Sequence, residues 1–194
     1  MKLILASKSG VRKKILDDHK INCEVIVSNV DEDEIKKSLL AEGADPLTIS
    51  KNLAEIKSVK VSMKNPDRLV LGADSVISLN GELINKPMNR DEALNILKKL
   101  NNSKHFLISS VCISKNGAMI WNHTDKSELK MKKFSDKEFL AYLSKIKTET
   151  LLAYGVYQVE AEGLGLFEYI KGDHNSIMGL PIKDIINYIR KYKK

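Results

Sequence analysis

The chain has 194 residues, 43% of them hydrophobic, enough for one domain or two closely apposed lobes around a sizeable core. Its net charge of +7 comes mostly from lysine, with arginine only at Arg12, Arg68, Arg90 and Arg190; scattered solvated lysines lack the forked recognition that arginine provides, so no specific nucleic-acid partner is expected. No apolar run is long enough for a bilayer and the opening MKLILA is too short for a secretory leader, which makes the cytoplasm the expected compartment.

In chain order, residues 3–6 read as a short buried strand, because a continuous apolar run bounded by polar residues and glycine suits a central position. Ser9 is placed to cap a helix in which Val11, Ile15 and Leu16 recur at helical spacing, while Arg12, Lys13 and Lys14 point elsewhere. A second strand is expected at 24–27. The acidic run 29–37 then opens a helix whose first turn suits the dipole, and Asp45 with Pro46 caps the next, which carries Leu47, Leu53, Ile56 and Lys57 on neighbouring faces. The stretch RLVLGADSVISLNGELINKP reads as a strand with Asp74 at its end, a continuing strand and a hairpin turned at Asn80 and Gly81. Residues 91–100 form an amphipathic helix with Ala93, Leu94, Ile96, Leu97 and Leu100 inward. A second hairpin turns at Asn116 and Gly117, and Ser135 and Glu138 have capping-box spacing before a helix carrying Phe139, Leu140 and Leu143. The last helix follows Gly-Leu-Pro and packs Ile182, Ile185, Ile186 and Ile189. Mixed elements of this kind predict an α/β fold with a mixed sheet.

Several residues could carry chemistry. A strand that enters a helix through Ser7, Lys8, Ser9 and Gly10 leaves backbone N–H groups for an anion such as phosphate, and it equally suits an ordinary capped βα unit. Neither a Walker loop nor G-x-G-x-x-G is present. Asp74 is the sharpest feature: a carboxylate at the end of a buried strand needs donors, a cation or a metal, unless it only caps a local turn. Asp31 and Glu32 stand at a helix start, where acidic residues are common. Lys57 interrupts an apolar helix face, Lys86 precedes Pro87 beyond a hairpin, and Glu160 and Glu162 flank a glycine-rich passage. His105, His123 and His174 share no ligand spacing and read as structural, and Cys23 and Cys112 form no C-x-x-C pair. Carboxylates for a hard divalent ion, together with cations for phosphate oxygens, are the components of phosphoryl chemistry.

These segments, in order, resemble the Maf, or septum formation inhibitor-like, nucleotide pyrophosphatases. LILASKSGVRKKIL is similar to that family's opening LASxSPRRxxLL, LAEIKS to its LAxxKA, VLGADSVISLNGELINKP to its GADxVxxxxGxxxxKP, and GVYQVEAEGLGLFEYIKGDHNSIMGLP to its closing glycine-rich segment. The resemblance implies a single domain over 1–194 with an elongated mixed β-sheet flanked by helices and a central cleft between two lobes. It implies hydrolysis of a nucleoside triphosphate to monophosphate and pyrophosphate, a divalent cation (Mg²⁺ or Mn²⁺) and a homodimer. Carried over by position, Asp74 is the proton acceptor or metal-associated carboxylate and Glu32 its acidic partner at the catalytic and metal site; Ser7, Ser9, Arg12, Lys57 and Lys86 line the phosphate site; Val11, Ser75 and Glu160 take the specificity positions. Gly10 and Val11 depart from the family's Pro and first Arg, LLAYG around Ala153 replaces a common DKAG, and Glu160 stands where the dTTP/UTP-preferring branch has Gln. That last feature resembles the branch that includes 7-methyl-GTP pyrophosphatases. The altered opening also fits a rival reading, a catalytically inactive nucleotide-binding or regulatory protein of the same fold.

Overall fold

The computed structural model describes residues 3–159 and 162–192. Strand β1 (Leu3–Leu5) is buried throughout and leads into helix α1 (Gly10–Asp18), capped as expected by Ser9, whose hydroxyl accepts from the Arg12 amide. Strand β2 (Cys23–Val25) pairs residue for residue with β1, Leu3 opposite Cys23 and Leu5 opposite Val25. It is therefore shorter than the expected 24–27, because β1 has no further residues for it to pair with. Helices α2 (Glu32–Ala41) and α3 (Pro46–Ser62) start at Asp31 and Asp45 caps, the latter with proline in its first turn.

Strand β3 (Val70–Leu79) turns into β4 (Glu82–Ile84) through Asn80 and Gly81, both at positive φ (52° and 88°), the backbone a tight hairpin demands. Helix α4 (Arg90–Leu100) is followed by the long hairpin of β5 (Lys104–Lys115) and β6 (Ala118–Met131). Both bonds of the capping box open α5 (Asp136–Ser144), whose Leu140 is exposed while Phe139 and Leu143 are buried. The chain continues through α6 (Thr148–Tyr154), a 3₁₀ turn at Glu162–Leu166, β7 (Phe167–Lys171), the short α7 (His174–Ile177) and α8 (Ile182–Tyr192).

Seven strands form one sheet in the order β2-β1-β3-β5-β6-β7, with β4 also on β3; β1 is parallel to its two neighbours and the other pairs are antiparallel. The expected mixed α/β sheet is thus present. Two faces of β3 are covered differently. Val70 packs with Ile4 and Val61 of α3, whereas Leu71 and Ala73 join α1 and α8 through Ile15, Leu16, Ile182 and Ile185. A larger apolar cluster gathers α4, α5, α6 and β7 around Leu107 and Leu129. Among the described residues, no helix is long and apolar enough to cross a membrane.

Candidate active site

The site arises from a gap in strand pairing. On one edge β3 is paired with β5 along nearly its whole length. Its other edge is shared: β1 ends opposite Leu71, and β4, antiparallel, ends with Ile84 opposite Ile77. Residues 72–76 consequently have no strand on that side, and a cavity of about 450 Å³ opens there. Asp74 lies in the middle of the gap, paired with Ser110 of β5 on its closed edge. The sequence reading put Asp74 at a strand end; it sits inside one continuous ten-residue strand, because β5 carries the ladder straight past it.

Gly72 explains why a lysine meets this carboxylate. A Cβ at Gly72 would fall 2.1 Å from the Ala54 carbonyl oxygen, so only glycine lets the α3 backbone come this close to β3. Two residues along the strand, on the same face, Asp74 meets Lys57, one helical turn beyond Ala54. Lys57 Nζ lies 2.8 Å from Asp74 Oδ1 and 2.9 Å from Glu32 Oε1. Lys57 and Asp74 are 5% and 4% exposed, whereas Glu32, at the start of α2, remains partly open to the cleft. Asp74 Oδ2 is buried without a hydrogen-bond partner. Such an oxygen is costly to leave unmatched, and it belongs to a residue that lines the cleft. Burial opposes ionisation of Glu32, but Lys57, with Lys36 and Lys86 behind it, outweighs that cost and holds its carboxyl below the usual range.

From the opposite wall comes the turn between β1 and α1. Ser7 Oγ accepts from the Ser9 amide and from Arg12 Nη1, both at 3.2 Å, which leaves its proton to donate. Arg12 reaches further: Nη1 donates to the Ala73 carbonyl (2.9 Å), Nη2 to Ser75 Oγ (3.1 Å) and Nε to the Gly179 carbonyl (2.9 Å). Lys86 closes the far rim by donating to the Ala153 carbonyl at 2.7 Å. Its withdrawal from water, with repulsion from Arg12 and Lys36, lowers its pKa against the pull of Glu32 and Asp74.

Ser7, Ser9, Arg12, Lys57, Lys86, Glu32 and Asp74, dispersed in sequence, all line this one cleft. Val11 and Ser75 line it too; Glu160 lies outside the described residues. Lys8, part of the turn read as an anion site, is also in the wall, as is Lys36, a cation that the sequence reading missed. Lys36 had a legible signal, since it stands one helical turn after Glu32. Among the described residues, five cationic side chains thus face two carboxylates across the cleft. The lining also includes apolar residues, among them Ile77, Leu83, Val156, Tyr157 and Met178. A polyanion with an aromatic end matches this combination.

The remaining candidates lie elsewhere. Asp31 is the α2 cap, and Glu162 opens the 3₁₀ turn away from the cleft lining. His105 is fully buried and bonds Tyr157 through Nε2 at 3.0 Å, its pKa pushed down to about 4 by burial. His123 Nε2 lies 3.2 Å from Asp125 on the same strand and 3.4 Å from Asp184 of α8, outside the cleft lining.

The sequence matches the family of Maf-like proteins over residues 2–192. The chain belongs to the Maf family. It is 56% identical over 191 residues to a nucleoside triphosphate pyrophosphatase of Pelagibacter ubique, covering 98% of each chain. A nucleoside triphosphate pyrophosphatase of Ruegeria pomeroyi is 37% identical, with 96% of this chain and 94% of that relative covered. A 7-methyl-GTP pyrophosphatase of Rhizobium etli is 34% identical, with 98% and 96% covered. In this Maf-family cleft the residues fit a hard divalent cation: the orphaned Asp74 Oδ2 and the second oxygen of Glu32 are oxygen donors of the right kind on adjacent walls.

Proposed function

We propose that this Maf-family protein is a metal-dependent nucleoside triphosphate pyrophosphatase, in which water adds to the α-phosphorus, pyrophosphate leaves and the nucleoside monophosphate remains. The observation that carries this reading is a buried carboxylate oxygen without a partner, Asp74 Oδ2, in the middle of a cleft dominated by cations. The relatives' names and the family membership support it.

On this reading the triphosphate lies along the cationic wall. Ser7 donates its free proton to a phosphate oxygen, Ser9 and the α1 N-terminus add their share of positive potential, and Lys36, Lys57 and Lys86 neutralise developing charge on the leaving pyrophosphate. Asp74 accepts the proton that the attacking water must lose. Lys57 bridges Asp74 and Glu32, fixing their separation, and holds the Glu32 carboxyl below its usual range. A Mg²⁺ or Mn²⁺ ion held by Asp74 and Glu32 would screen the phosphate charges and acidify water there. The apolar residues of the lining receive the base, with Val11, Ser75 and Glu160 as the residues that select it; the Rhizobium relative's name makes a guanine-type base one candidate. The match over residues 2–192 supports one domain, with the two large apolar clusters as the cores of its two lobes.

The test is a panel of natural and modified nucleoside triphosphates with Mg²⁺ or Mn²⁺, scored separately for pyrophosphate and phosphate. Pyrophosphate release from at least one of them is expected. Nucleotide binding without turnover would favour the non-catalytic reading, and phosphate release would mean attack at the γ-phosphorus instead.

A further inference from the structure

Arg12 is a cation of the cleft whose donors are almost fully spent on backbone carbonyls and hydroxyls of the protein. A guanidinium has five N–H groups, and here Nε serves Gly179 O, Nη1 serves Ser7 Oγ and Ala73 O, and Nη2 serves Ser75 Oγ. A single N–H on Nη2 remains. Arginine binds phosphate tightly by presenting two parallel donors to two oxygens, and this side chain has no such pair to offer.

The acceptors it has chosen have a pattern. The amides of Ile4 in β1 and of Ala6 just after it donate to the carbonyls of Leu69, just before β3, and of Leu71 in β3. The next carbonyl on that edge is Ala73, where β1 has already turned away, and Arg12 Nη1 takes it. Its other Nη holds the Ser75 hydroxyl. Arg12 therefore grips β3 on both sides of Asp74, along the stretch that has no neighbouring strand, and ties it to the turn before α8 through Gly179. A side chain on Gly179, which has φ +94°, would stand 3.0 Å from Ser75 Oγ and 3.4 Å from the guanidinium, so this knot is tightly closed.

From this geometry we infer that Arg12 is a positioning residue: it substitutes for a missing strand, fixes the backbone that carries Asp74, and is not a direct ligand of the triphosphate. The inference rests on the hydrolytic reading above for what Asp74 does, and it revises only the role that the family resemblance implied for Arg12. Misplacing a reacting group by about 1 Å can cost on the order of a hundredfold in rate, whereas a lost phosphate ligand weakens binding.

The experiment uses the full chain with Arg12→Lys, which keeps the charge without the fork, and Arg12→Gln, which keeps planar donors without the charge. Three quantities are read: kcat and KM for pyrophosphate release with the best nucleotide, the affinity of Mg²⁺ with inorganic pyrophosphate by calorimetry, and the melting temperature. For whichever variant melts cooperatively, kcat should fall on the order of ten- to a hundredfold while KM and pyrophosphate affinity stay within about threefold of the wild type. A pyrophosphate affinity at least about tenfold weaker in Arg12→Lys would overturn the inference, and so would an unchanged kcat. A wild-type protein that releases no pyrophosphate from any nucleotide would sink the hydrolytic reading instead, and the affinity comparison would still decide whether Arg12 touches the phosphates.

Discussion

Asp74 and Lys57 form a buried ion pair that is also a chemical device. Removing one partner of such a pair usually costs about 3–5 kcal/mol, but Lys57 has a second carboxylate in Glu32 at 2.9 Å, so Asp74→Asn should cost less than that. Its rate of pyrophosphate release should fall by about 10²- to 10⁴-fold, the usual worth of a general base, while calorimetry shows a folded protein. Wild-type turnover in this variant would strip Asp74 of its role. Glu32 adds a pH signature. Its folded pKa lies below the ordinary value, so its contribution to stability is complete above the unfolded carboxylate range near pH 4.5 and is lost as pH falls through the lower, folded pKa. His105 acts in a neighbouring window. Buried with a pKa of about 4 against 6.5 when unfolded, it takes up a proton on unfolding between those values, so stability declines as the pH is lowered from 6.5 to 4, by on the order of 3 kcal/mol. Urea melts at several pH values should show that decline, and His105→Gln should flatten it.

At the scale of elements, the contact of α3 with β3 decides where the chemistry happens. Gly72→Ala would drive a methyl group into the Ala54 carbonyl, 2.1 Å away, with Ser58 backbone at 2.8 Å. Backbone cannot swing aside as a side chain does, so α3 must lift, at a cost of about 1–3 kcal/mol or more for an overpacked contact. That displacement carries Lys57 away from Asp74. Gly72→Ala should therefore lower both the melting temperature and kcat, although position 72 touches no substrate; loss of stability with full kcat at low temperature would break this link. Helix α6 illustrates a different dependence. Its sequence, TETLLAY, lacks a side-chain cap and shows little periodicity over seven residues, yet Leu151 is buried and Ala153 takes Lys86. Packing, not local propensity, makes it a helix.

For the whole molecule, the net charge of +7 is less informative than its distribution. Five cations converge on one cleft, while other lysines spread over the surface. Pyrophosphate with Mg²⁺ should consequently stabilise the fold by mass action, by about 2.7 kcal/mol at a hundredfold excess over Kd, which corresponds to about 5–10 °C in Tm for a chain of this size. A thermal shift series checks this, and no shift at saturating ligand would contradict the cleft as the anion site. Labelled RNA should bind weakly and lose affinity steeply with salt, because lysines without base-reading groups supply only the counterion-release contribution.

Local chemistry was legible in the residues themselves. The Ser9 cap, the Asn80-Gly81 and Asn116-Gly117 turns, the Ser135 box and the isoleucine stripe of α8 each depend on a handful of neighbours, and each is present as read. Asp74, Glu32, Lys57 and Lys86 were also singled out, since charged residues beside apolar runs are conspicuous in any chain. The sequence by itself thus determined most of the elements and the chemical parts. Tertiary structure alone decided how the parts are used: that β1 ends opposite Leu71 and β4 opposite Ile77, leaving Asp74 mid-strand beside an open edge; that Lys36 joins the wall; and that Arg12 spends itself on Ala73, Ser75 and Gly179, the last 167 residues away. Propensity acts between neighbours along the chain, whereas a gap in a ladder or a carbonyl waiting for a donor exists only once strands distant in sequence have paired in one register.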